Sequence, residues 1–176
     1  MRIFNLFKKE TDSDQLEISD AFELSKLFWP TFSVVEDAVF LEWEKVSDLE
    51  KAYGGGMNRT QLESFSNHTH ILDRFDHKAS LGKEPWWNNR HPDFKLACNL
   101  GKKVARLWTV KLSLDFPNEE FLVYYTEEDN PIVRFHKVRE GEDLWLDPKQ
   151  YEKEILEEKI MIWNSKKMSH NQSRLA

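Results

Sequence analysis

LWTVKLSLDFPNEEFLVYYTEEDNPIVRFHKV, residues 107–138, is the stretch whose reading decides the fold. Trp108, Val110, Leu112, Leu114 and Phe116 alternate with Leu107, Thr109, Lys111, Ser113 and Asp115, which is the period of a strand with one buried face. The next run, 121–126, is aromatic and β-branched. A third, 132–138, follows the polar residues Glu127, Glu128, Asp129 and Asn130, with Pro131 at the start of a strand, where its missing N–H does no harm. Three consecutive antiparallel strands, a β-meander, are therefore expected.

Outward from this stretch the chain alternates helical and extended signals. Ala21, Leu24, Leu27 and Phe28 recur at helical spacing from Ser19, a candidate N-cap, until Pro30. Residues 31–35 and 38–44 read as two strands about Glu36 and Asp37, with Val39, Leu41 and Trp43 on one face. Ser47-x-x-Glu50 opens a short helix, 48–53, ended by Gly54, Gly55 and Gly56. Those glycines follow a helix and lack a Gly-Lys-Ser/Thr ending, so they make a poor phosphate loop. Thr60-x-x-Glu63 is a second capping box, and Leu62, Phe65, Thr69, Leu72 and Phe75 predict a helix to about Phe75.

Residues 76–89 read as a long irregular connection. Pro92 and Asp93 open a helix to about Arg106, with Ala97, Leu100 and Val104 inward and Cys98 a small buried filler. Asp147-Pro148 is an N-cap with proline at the first helical position, and Tyr151, Ile155 and Leu156 mark the inner side of the helix it starts. Periodicity leaves 160–163 open between an extension of that helix and an extra strand. Residues 1–9 suit a short amphipathic helix, and the polar tail 165–176 is expected to be disordered.

Composition narrows the function classes. A chain of 176 residues, 40% hydrophobic, suits one domain that buries about 70% of its unfolded surface, so a core forms without staples. The single cysteine, Cys98, excludes an internal disulfide framework and points to a reducing compartment, the cytoplasm. No signal-peptide pattern and no apolar run of membrane-spanning length is present. Net charge is -6, which opposes nucleic acid as a partner, and Lys95, Lys102, Lys103 and Arg106 read as the solvated face of a helix.

Four groups bear on candidate chemistry. His68 and His70, with Asp73 nearby, look most like metal ligands, but residues at i and i+2 lie about 200° apart on the predicted helix, so no shared metal is expected. Trp86, Trp87 and Arg90, in the run EPWWNNRHP, have the composition of a ligand-binding loop, and equally of indoles pinning a loop to a core. Cys98 has no histidine near it in sequence, and His91 or His136 would have to reach it through the fold. The acids are the most geometrically informative group. In a meander the loop entering the second strand and the loop leaving the third share one rim, which gathers Asp115, Glu119, Glu120, Glu140, Glu142 and Asp143.

The expectation is one α+β domain, residues 1–164, with an antiparallel sheet of about five strands and helices mainly on one face, followed by the tail 165–176. Its favoured function is non-catalytic binding of a basic macromolecule through the acidic rim, in the manner of an inhibitor or immunity protein, without a cofactor. A metal-dependent enzyme at His68, His70 and Asp73 is the alternative, and a small-ligand sensor at Trp86 and Trp87 is a third reading.

Overall fold

Residues 107–115 are helix, not strand. They are the last turns of α3 (Pro92–Asp115), a helix of 24 residues. Nothing between Arg106 and Pro117 breaks a helix, and Trp108 and Leu112 continue the inward stripe of Phe94, Ala97, Gly101, Val104 and Ala105. Positions 108 and 112 satisfy both periods. Leu114 separates them, and it is exposed. Thr109 and Ser113, poor helix formers, donate their hydroxyls to the carbonyls of Ala105 and Val110 at 2.7 Å each and sit in the helix without disrupting it.

The computed structural model describes residues 17–49, 56–75 and 88–167. The expected helix at 1–9, most of that at 48–53, Trp86 and Trp87, and the tail beyond Lys167 lie outside the described residues. The architecture is α+β with antiparallel sheets. Helix α1 (Ile18–Phe28) leads into a hairpin of β1 (Phe32–Val35) and β2 (Ala38–Leu41). A four-stranded sheet follows in the order β3-β5-β4-β6, from β3 (His68–His70), β4 (Phe121–Thr126), β5 (Ile132–Lys137) and β6 (Ile160–Asn164). The undecided residues 160–163 are thus an edge strand paired with β4. The tail boundary also moves: Ser165 is buried and its Oγ accepts from the Phe121 N–H at 2.9 Å.

Alternation along the central strands divides the side chains. Phe121, Val123 and Tyr125 of β4 and Val133 and Phe135 of β5 pack against α3, around Trp108 and Leu112. Gly101 lets helix and sheet approach closely, since a Cβ there would lie 2.9 Å from the Tyr125 ring. Leu27 of α1 and Val39 and Leu41 of β2 close the same core; the strand expected to reach Glu44 ends at Leu41, and Trp43 packs against the core from a 3-10 turn, Glu42–Glu44.

The helix predicted from Thr60 to Phe75 is also shorter. Helix α2 (Arg59–Ser66) is capped by Asn58, whose side chain accepts from the Gln61 N–H at 2.8 Å while Gln61 accepts from the Asn58 N–H at 3.1 Å. The capping box therefore sits two residues before the Thr60/Glu63 pair. The helix stops because Asn67 turns its amide onto β2, accepting from Leu41 N–H at 2.9 Å and donating to the Val39 carbonyl at 2.7 Å. His68 to His70 then join the sheet edge beside β5.

Candidate functional site

The face of the sheet away from α3 carries Leu122, Tyr124 and Thr126 of β4, Ile132, Arg134 and His136 of β5, and His68 and His70 of β3, because cross-strand partners share a face. Residues 145–155 cover part of it: Leu146, Trp145 and Ile155 pack on Tyr124, Leu122, Ile160 and Ile162. Asp147 caps this segment as predicted, accepting from the Lys149 N–H at 3.1 Å, before a 3-10 turn and α4 (Glu152–Leu156). Of the three residues expected inward, Ile155 packs on the sheet, whereas Tyr151 and Leu156 are exposed. Towards β3 the same face holds His68, His70 and Arg134 half-buried, with Ile132 buried among them.

Arg134 lies between the covered Tyr124 and His68 in the cross-strand register. Its guanidinium stacks on the Trp145 ring at 4.0 Å, and Tyr124 meets the same indole edge-on at 5.1 Å. Burial pulls its pKa below the ordinary arginine value, with Glu128 opposing through its field. It remains a cation. Its Nε is buried without a hydrogen-bond partner among the described residues. Arg139 Nε is likewise buried without a hydrogen-bond partner, but its Nη1 and Nη2 meet both oxygens of Glu63, at 2.9 and 2.8 Å, whereas no carboxylate meets Arg134 among the described residues.

His68 sits directly across from Arg134 in the β3–β5 register, and His70 across from Ile132. On a strand, unlike a helix, positions i and i+2 point the same way, and the two imidazoles lie 5.3 Å apart, edge to face. The predicted separation of these histidines is therefore overturned. Asp73 does not join them: it stands in a 3-10 turn and accepts from the Asn130 amide at 2.9 Å. Among the described residues no group of three or more His, Cys, Asp or Glu is arranged to hold a metal ion. Burial, then Arg134 and His70, lower the His68 pKa, against a raising hydrogen bond to Phe65 O and the field of Glu44.

His136 is sealed. Its Nδ1 meets the Lys137 carbonyl at 2.9 Å and its Nε2 the Tyr124 hydroxyl at 2.9 Å, and both residues are fully buried. Burial lowers its pKa and keeps it neutral. Cys98 points to the other side of the sheet, in the α3 core, so His136 does not reach it. Burial pushes the Cys98 thiol up to about 11, which leaves it a poor nucleophile.

The two acidic loops do meet at one rim, where the Val138 N–H donates to the Glu120 carbonyl at 2.7 Å. Several carboxylates there have partners within the chain. Asp115 pairs with Lys111, Glu119 with Lys137 at 2.9 Å, and Glu120 accepts from the Asn164 amide at 2.6 Å. Glu142 accepts from the Thr60 N–H at 2.8 Å in the first turn of α2. Glu140 and Asp143 are exposed. Arg90 is exposed in the turn before α3, and its companions Trp86 and Trp87 lie outside the described residues.

Arg134 and Trp145 were not among the candidates from sequence. The signal was present in the alternation of Ile132, Arg134 and His136 with Val133 and Phe135, which puts a cation and an imidazole on one face of a strand otherwise apolar. No family model matches the chain, and no curated protein and no solved structure matches it either.

Proposed function

We propose that this chain is a non-catalytic binding protein that recognises an anionic group at the half-buried cluster of Arg134, His68 and His70, on the face of its four-stranded sheet turned away from α3, with Arg134 as anchor. The observation that carries the reading is the Arg134 guanidinium, held on an indole with its Nε buried and without a partner. A desolvated cation is unfavourable unless something supplies opposite charge and acceptor oxygens, which a carboxylate, sulfate or phosphate group does in a forked geometry. Phe65, exposed beside the His68 ring at 6.0 Å, and Trp145 give the site apolar walls. The compartment that suits a chain with one cysteine is the cytoplasm.

Titration with sodium sulfate at low ionic strength, followed by calorimetry, tests the reading. Saturable binding is expected in the wild type, weakened about tenfold or more in Arg134→Gln, as for loss of a hydrogen bond to a charged group. Arg134→Lys keeps the charge without the fork and is expected to fall between. Equal affinity in wild type and Arg134→Gln, with both folded, overturns the proposal.

A basic partner at the acidic rim is the second reading, favoured by the backbone bond that draws the two loops together. Its steering charges are Glu140 and Asp143, because Glu120 and Glu142 also hold the fold. Reversing Glu140 and Asp143 to Lys is expected to slow association with a basic protein in a salt-dependent way. An unchanged association rate in stopped flow at low salt removes this reading.

A further inference from the structure

The hydrogen bond made by one nitrogen of an imidazole decides what the other nitrogen offers. Beside Arg134 this constraint falls on His68. Its Nδ1 stands 2.5 Å from the Phe65 carbonyl oxygen. A carbonyl only accepts, so Nδ1 carries the proton of the neutral ring and Nε2 presents a lone pair. That lone pair repels an anion. The other tautomer would break the Phe65 contact, so a donor at Nε2 exists at this position only in the imidazolium.

His136 has the same Nδ1 constraint, from the Lys137 carbonyl, but its Nε2 is occupied by Tyr124 and the ring is buried. His68 is half-exposed and faces Arg134 across the strand pair. Around His68, Arg134 of β5 and His70 of β3 oppose a further positive charge, whereas Glu44, in the 3-10 turn after β2, favours it. In the empty site the ring is therefore neutral near pH 7. An anion seated on Arg134 reverses that balance, because it screens the guanidinium and offers an acceptor to Nε2–H.

We infer that the anion site at Arg134 takes up one proton as it fills, with His68 as the proton acceptor, so that the site loads in mild acid and empties towards alkaline pH. The inference rests on the anion-recognition reading above. By linkage the affinity changes by at most about tenfold per pH unit, and only between the His68 pKa of the free site and that of the filled site.

Inorganic sulfate is the appropriate probe because it stays a dianion from pH 5 to 8 and releases or takes up no proton itself. Two measurements are made on the full chain: calorimetric affinity at pH 5.5 and 8.0, and the His68 ring titration by NMR with and without sulfate. Tighter binding at pH 5.5, by about tenfold or more, and an upward shift of the His68 titration with sulfate are expected. His68→Gln is expected to keep Arg134-dependent binding and lose the pH dependence, and His70→Gln to retain it. Arg134-dependent binding of equal strength at both pH values, or pH dependence that survives in His68→Gln, overturns the proton coupling and leaves the anion site standing. Absence of saturable binding at either pH, or binding indifferent to Arg134→Gln, overturns both.

Discussion

Glu63→Ala is expected to lower stability by about 3–5 kcal/mol, because it strips one partner from a buried ion pair and leaves Arg139 with only the longer carboxylate contact, to Asp37 at 3.5 Å. Glu63 is fully buried, and each of its oxygens accepts two hydrogen bonds. Oε1 takes the Val39 N–H at 2.8 Å and Arg139 Nη2 at 2.8 Å, and Oε2 takes the Lys137 N–H at 2.7 Å and Arg139 Nη1 at 2.9 Å. One carboxylate thus ties α2 to β2 and to the end of β5. With Asn67, one helical turn on, it serves the edge of β2 as a neighbouring strand would. Urea denaturation of Glu63→Ala, Arg139→Met and the double variant is the measurement, and the double variant is expected to be less destabilised than the sum of the two. A loss below about 1 kcal/mol, the range of an exposed ion pair, would show that the pair contributes no more than surface charges do.

Trp108→Ala is expected to cost a similar amount, about 3–5 kcal/mol, by a different route. The indole is fully buried between Trp43 and Phe135, with centroids at 6.2 and 6.0 Å, and its Nε1 donates to the Leu27 carbonyl at 2.7 Å. Alanine leaves both a cavity and an unpaired carbonyl at the C-terminal turn of α1. Trp108→Phe separates the two, since it fills most of the volume and restores no donor, and a loss of about 1–3 kcal/mol is expected from the carbonyl alone. If Trp108→Phe proves as damaging as Trp108→Ala by the same denaturation assay, the indole N–H and not its volume holds α1 in place.

Both residues show how far the sequence could be read. The alternation puts Trp108 in the core on a strand, and it is in the core on a helix, because residues four apart fall on one face under either period. Glu63 read as a capping residue, since a buried carboxylate is visible only through Arg139, 76 residues away. The apolar spacing of Leu62, Phe65, Thr69 and Leu72 runs past the point where Asn67 leaves the helix for β2, so periodicity puts His68 and His70 on a helix that ends before them.

Local chemistry by itself determined the elements whose signals are short-ranged: the β1–β2 hairpin about Glu36 and Asp37, the β4–β5 pair about Pro131, the proline starts at Pro92 and Pro148, and with them the α+β class. Each rests on a turn or cap a few residues long, and such preferences act before the chain collapses. Only the tertiary structure decided the cluster around Arg134. Arg134, His68 and Trp145 come from three separate parts of the chain, and what makes them a site is a register between β3 and β5 and a segment crossing the sheet. The unpartnered Nε of Arg134 is a property of that packing, because a guanidinium loses water only where other residues displace it.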